Sequence, residues 1–146
     1  GLALLVIDYL QLMVGDKDGE NRTREVTQIT QDLKALAKEL SCCVIALSQL
    51  NRQVESRPNK RPIMSDLRES GSIEQDADVI LAPYRDEYYN ADSRFQGLAE
   101  LLVLKNRQGS KGSLVLHFWP DMMDWGESEY ELDDLLNEKR GKKGDL

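Results

Sequence analysis

The sequence predicts an α/β fold with a mostly parallel sheet, helices on both faces and a β-hairpin toward the C-terminal end. Three features carry this expectation. The aliphatic runs "LLVI" at 4–7 and "CCVIAL" at 42–47 have the uninterrupted apolar character of strands covered on both faces. Between them, Val26, Ile29, Leu33, Leu36 and Leu40 recur at spacings of three and four, the mark of a helix with one core-facing stripe. Strand, helix, strand with short connections is a βαβ unit, whose crossover is right-handed in nearly all proteins.

Taken in order, the first run stops at Asp8, which places a carboxylate at the sheet edge where ligands of such folds collect. The polar "GDKDGENR" reads as a loop, with Asn21 or Thr23 as the expected cap of the helix, and that helix should end near Ser41. Cys42 and Cys43 are adjacent in a strand pattern and should point to opposite faces, as small reduced core residues and not as disulfide or zinc partners. The second run also ends in polar residues, "SQLNRQ". From Asn51 to Arg61 the chain is polar and basic without periodicity, which predicts a surface loop. Ser65 with Asp66 opens one short helical start and Ser72 with Gln75 matches a capping box for a second, with Gly71 as the hinge between them. "DVILA", "AELLVLK" and "SLVLHF" read as strands, the last two joined into a hairpin by "NRQGSKG" with Gly109 and Gly112 in its turn. Past Glu127, the weak repeat Leu132, Leu135, Leu136 and the charged "NEKRGKKGDL" predict a terminal helix fading into a disordered tail. Two segments are therefore expected: 1–125 as the folded domain and 126–146 as an acidic tail.

With 146 residues, 40% of them hydrophobic, the chain suits a single soluble domain with its own core. It opens at Gly1 without a methionine and enters a strand almost at once, so a piece of a longer chain is expected. Its apolar stretches fall far short of the roughly 18 residues that span a bilayer, and no signal-peptide pattern opens it, which points to no membrane and a cytoplasmic protein. The net charge of −7 is adverse to nucleic acid for the chain as a whole, but it is uneven. Residues 120–146 carry −5 of it, whereas Arg52, Arg57, Lys60, Arg61 and Arg68 face only Glu55 and Asp66 in between, leaving room for a phosphate-contacting loop.

Each candidate residue has two readings on its own. Asp8 suits the support of a hydrated Mg²⁺ beside phosphates, or it caps the next turn. Gln49, at the equivalent end of the neighbouring strand, can donate to a γ-phosphate or close a turn. Lys105 and Arg107 leave a strand into a hairpin, as trans-acting fingers or as a solvated tip. His117 reads as a strand residue, and Trp119 and Trp125 as packing anchors with base stacking as the second option.

Six blocks in order decide among these readings: "LLVIDYLQLM", "LKALAKEL", "VIALSQLNRQVESR", "KRPIMSDLRESGSIEQDADVI", "YRDEYY" and "GLAELLVLKNRQGSKG". Together they resemble the C-terminal portion of bacterial or phage replicative DNA helicases of the DnaB type, over roughly Leu2 to Trp125. The resemblance implies a partial RecA-like P-loop NTPase core, a homo-hexameric ring around single-stranded DNA, ATP and Mg²⁺ as cofactors, and a primase and a helicase loader as partners. It further implies that Asp8 is the Walker B aspartate, Gln49 the γ-phosphate sensor, and Lys105 with Arg107 the finger pair that completes a neighbour's ATP site. Arg68, Glu69 and Gly71 match the loop that tracks the DNA backbone, where a cation and a close approach of backbone amides to phosphate suit the task.

One departure is large. No G-x-x-x-x-G-K-[ST] occurs, so the phosphate-cradling loop is absent, as is the family's catalytic glutamate, and the chain alone is not expected to hydrolyse ATP. Two rivals follow. One is a non-catalytic module that binds single-stranded DNA or a protein partner; the other is a RecA-like recombinase or clock-type ATPase on the same fold.

Overall fold

A computed structural model describes residues 1–15, 19–67 and 70–133. The chain divides into two compact units, Gly1–Asp78 and Val79–Leu146.

In the first unit, β1 (Leu4–Ile7) and β2 (Cys43–Ala46) pair in parallel, with Leu4 opposite Cys43 and Ile7 opposite Ala46, and α1 (Gly19–Glu39) connects them. The expected βαβ unit is therefore present. Helix α1 starts earlier than the polar residues suggested: Asn21 and Thr23 lie inside it, and the Thr23 carbonyl already accepts from Thr27 Oγ1 at 2.8 Å. Its apolar stripe turns inward, with Val26 1% exposed and Ile29, Leu33 and Leu36 half-buried. Thr30, a polar residue on the same face, is also buried and bonds through Oγ1 to Asp76 Oδ2 at 2.7 Å, tying α1 to α2 (Ser70–Asp76). Lys34 pairs with Asp78 in the same unit.

The helix ends where Ser41 turns to φ +49° and the Cys42 N–H reaches back to the Ala37 carbonyl at 3.1 Å, a Schellman-type closure. A left-handed residue with a Cβ costs roughly 1–2 kcal/mol. Ser41→Gly is therefore expected to stabilise the fold by about 1 kcal/mol, readable as a raised thermal midpoint; an unchanged or lower midpoint would contradict this account of the helix end.

The strands of this pair are covered on one face, not two. Leu5, Ile7 and Val44 are half-buried, whereas Leu4, Val6 and Ile45 are each about half exposed. The register accounts for the cysteines as well. Cys43 stands opposite Leu4 on the exposed face and Cys42 precedes the strand half-buried, so both are free thiols but neither belongs to the core.

The segment expected to be a plain surface loop is folded. Within 51–61 it contains a 3₁₀ turn at Arg52–Ser56 and buries Val54. Beyond it a 3₁₀ turn, Met64–Asp66, stands where Ser65 and Asp66 were expected to open a short helical start, and an antiparallel bridge joins Leu50 to Leu67. Gly71 is not a hinge between helices; it is the second residue of α2, exposed, with open space where a Cβ would lie. The Ser72 capping box does not form, because α2 begins at Ser70 and Ser72 is buried within it.

The second unit is a four-stranded sheet in the order β3 (Val79–Tyr84), β4 (Leu98–Asn106), β5 (Gly112–Trp119), β6 (Asp124–Glu127), antiparallel throughout. Among the described residues parallel pairing is thus confined to β1 and β2; the short turns from β4 to β5 and from β5 to β6 can only reverse the chain. Strand β3 alternates cleanly, burying Ile80, Ala82 and Tyr84, and it tolerates Pro83 because it is an edge strand. By the strand register, Leu98 and Val115 share this face, whereas Ala99 and Phe118 are buried on the opposite one. The short α3 (Asp86–Tyr89) and strand β6 were not anticipated. His117 is a strand residue, stacked on Trp119 with ring centroids 5.7 Å apart, and Trp125 packs against the buried Phe118 at 4.8 Å, but both tryptophans remain 42% exposed and neither is a core anchor. The expected terminal helix over Leu135 and Leu136 falls outside the described residues. Among the described residues no helix is long and apolar enough to cross a membrane.

Candidate functional site

The parallel pair brings Asp8 and Gln49 to one edge. Asp8 follows Ile7 directly, and Gln49 lies three residues beyond Ala46, the strand partner of Ile7, so both side chains leave the carboxyl ends of neighbouring strands. Both residues are exposed. The Asp8–Tyr9 peptide is cis. No hydrogen bond or ion pair among the described residues engages the Asp8 carboxylate. An open cavity of about 360 Å³ lies beside the second strand end, lined by Gln49, Leu50, Asn51 and Arg52.

A residue the sequence did not single out joins the two strand ends. Gln11 is buried, donates from Nε2 to Ser48 Oγ at 3.0 Å and accepts the Gln49 N–H on Oε1 at 3.2 Å. The Leu10 N–H bonds to the Leu47 carbonyl at 2.9 Å and the Leu47 N–H to the Ile7 carbonyl at 2.9 Å. The signal was the position of Gln11, three residues past Asp8 and between two leucines, where a polar side chain gains by finding buried partners.

The loop after Gln49 is organised by Asp66. Its carboxylate receives both terminal nitrogens of Arg57, at 3.0 and 2.6 Å, and the Ile63 N–H at 2.8 Å, while its carbonyl accepts the Asn51 N–H at 2.7 Å. Asp66 is 4% exposed. Arg57 also reaches the Arg61 carbonyl at 3.0 Å, and Lys60 Nζ reaches the carbonyls of Glu55 and Arg57. Arg57 and Lys60 thus have internal work, which reduces the cations that this basic stretch presents to phosphate. Arg68 and Glu69 lie outside the described residues, while Gly71 sits in the first turn of α2.

Lys105 and Arg107 belong to the second unit. Lys105 is half-buried near the end of β4 and Arg107 is exposed in the turn to β5. Asn106 shapes that turn: its Oδ1 accepts the Gln108 N–H at 3.2 Å and its Nδ2 donates to the Ser110 carbonyl at 3.4 Å. A Cβ on Gly109 would lie 2.7 Å from Asn106 Nδ2, so glycine there makes room for the amide.

The residues fit a Mg²⁺–nucleotide only in part. No group of three or more His, Cys, Asp or Glu side chains among the described residues could hold an ion by itself. Mg²⁺ does not require one, since it keeps most of its waters and takes one or two carboxylates together with substrate phosphates. An exposed carboxylate at a strand end, beside an exposed amide, meets that need on the protein's side.

The family model of the DnaB-like helicase C terminal domain matches residues 1–127. The chain belongs to this helicase family. Relatives of the DnaB-like domain include the replicative DNA helicase DnaB of Geobacillus stearothermophilus, 56% identical over 119 residues, covering 81% of this chain and 26% of that protein. The replicative DNA helicase DnaB of Buchnera aphidicola subsp. Acyrthosiphon pisum is 52% identical over 134 residues, covering 90% and 29%. Among solved structures, an ATPase domain aligns with a TM-score of 0.80 at 47% identity, over 86% of this chain and 44% of that one. A DnaB-like replicative helicase described with its interactions with primase aligns with the same TM-score and identity, over 86% and 30%. This DnaB-like chain therefore has the RecA-like α/β fold of those ATPase domains and spans between a quarter and three tenths of its curated relatives.

Proposed function

We propose that this chain is the sensor, finger and DNA-loop part of a hexameric replicative helicase, which uses ATP to move 5′ to 3′ along single-stranded DNA in the cytoplasm. The observation that carries the reading is the placement of Asp8 and Gln49 at adjacent carboxyl ends of a parallel pair, in a chain of the DnaB-like family. Residues 1–127, through the end of β6, form part of the ATPase domain in this reading, and the acidic segment after them a tail outside it. A primase and a helicase loader are its expected partners.

Asp8 would hold the hydrated Mg²⁺, which when bound offsets phosphate charge. Gln49 would donate its amide to the terminal phosphate, held in place by Gln11 through the backbone N–H of Gln49. Lys105, near the end of β4, and Arg107, in the turn to β5, would reach a neighbouring subunit's nucleotide, where developing negative charge is met by fixed cations. Arg68, Glu69 and Gly71 serve the DNA backbone, which needs only the channel-lining loops to be basic and so suits a chain of net charge −7.

DNA-stimulated ATP hydrolysis tests the reading, measured on this chain and on the full-length helicase carrying it. The chain alone lacks the phosphate-cradling motif and is expected to be inactive, while the full-length protein turns over with strong stimulation by single-stranded DNA. Absence of activity in the full-length protein, with DNA binding retained, would instead establish the non-catalytic module. Filaments in place of rings would favour the recombinase.

A further inference from the structure

Two short chain segments with separate roles in the proposed function are physically joined. Leu50 and Asn51 directly follow Gln49, and Asp66 and Leu67 directly precede Arg68. The structure pairs them: Leu50 bridges Leu67 antiparallel, and the Asn51 N–H bonds to the Asp66 carbonyl at 2.7 Å. The residue that would sense the terminal phosphate and the residue that would meet DNA are therefore each one peptide away from the same two-residue bridge. An isolated bridge is a weak tie by itself, because two strands without neighbours are marginal in water.

Asp66 supplies what the bridge lacks. Its backbone faces Asn51, while its side chain, almost wholly buried, takes the Arg57 fork and the Ile63 N–H. Arg57 in turn grips the Arg61 carbonyl at 3.0 Å, so the excursion from 52 to 65 closes on Asp66. A bidentate guanidinium–carboxylate pair fixes both distance and plane, which a single ammonium cannot do. From this geometry we infer that Arg57 and Asp66 are positioning residues that lock the bridge, so that displacement at Gln49 is carried to the Arg68 loop. The inference rests on the roles of Gln49 and Arg68 in the proposed function. Neither Arg57 nor Asp66 is assigned contact with nucleotide or DNA.

The test uses the full-length helicase with Arg57→Lys, Asp66→Asn and, as a control, Arg68→Ala, each assayed for ATP hydrolysis with and without single-stranded DNA and for hexamer formation. A loss of coupling, in contrast to a loss of fold, predicts that Arg57→Lys leaves the DNA-free rate within about twofold but cuts maximal DNA stimulation by about tenfold. Asp66→Asn should do at least as much, and Asp66→Glu, which keeps the carboxylate, should recover part of the stimulation. If Arg57→Lys folds, assembles and is stimulated normally while Arg68→Ala is not, the coupling role is wrong and the functional reading stands. If the DNA-free rate and the stimulated rate fall together in Arg57→Lys, the pair is only structural and the inference is overturned. Normal stimulation in Arg68→Ala would overturn the functional reading itself, and the coupling with it.

Discussion

Arg107→Ala, introduced into the full-length helicase, is expected to lower the rate of ATP hydrolysis by about 10³–10⁵-fold while leaving nucleotide affinity nearly unchanged, the effect of removing an arginine finger. The β4–β5 hairpin makes this residue suitable. It is anchored on both sides by antiparallel register, Leu98 with His117 through Val103 with Gly112, and Asn106 pins the turn from within. A cation on such a support needs little reorganisation when charge develops on the phosphates. Lys105 lies in the strand and half-buried, so its substitution should cost less than that of Arg107. Steady-state turnover with a parallel titration of a fluorescent nucleotide separates rate from binding. Normal turnover in Arg107→Ala would remove the finger assignment.

Phe118→Ala is expected to destabilise the second unit by about 3–5 kcal/mol, the range for deleting a buried aromatic ring. Phe118 is 2% exposed, packs on Trp125 and carries the Arg85 guanidinium 4.2 Å from its ring centroid. Removing it opens a cavity and also strips the cation of its π face, worth roughly 0.5–2 kcal/mol. The two tryptophans of the sequence, Trp119 and Trp125, both lie in β5 and β6, so their fluorescence reports on this sheet alone. For a unit of this size the melting midpoint should fall by on the order of 15 °C. A fall of only a degree or two would mean that the ring is not the core element its burial implies. Since β5 supports the turn that holds Arg107, turnover should decline as this sheet loosens, without any change at the nucleotide.

Much of this was readable in the residues. The apolar run at 4–7, the stripe from Val26 to Leu36 and the second run at 42–47 are local patterns, and each formed the element that its period dictates. The hairpin through Gly109 was legible for the same reason: turn chemistry acts over a few residues. The placement of Asp8 and Gln49 on one sheet edge followed once the βαβ unit was recognised. Strand β6 escaped because "DWGE" has neither alternation nor length, and it exists by pairing with the already formed β5.

By itself, then, the sequence determined the paired strands, the long helix between them, the C-terminal hairpin, their order and the family, because periodicity, turn preference and motif spacing are written in neighbouring positions. Only the tertiary structure decided that Gln11 would hold Gln49, that Asp66 would close a loop on Arg57, and that Leu4, Val6 and Ile45 would face outward in this chain. Those outcomes depend on partners 37 residues apart for Gln11 and Ser48, or 9 apart for Arg57 and Asp66. A buried amide or carboxylate takes whatever donors the fold brings to it, and no local pattern names them in advance.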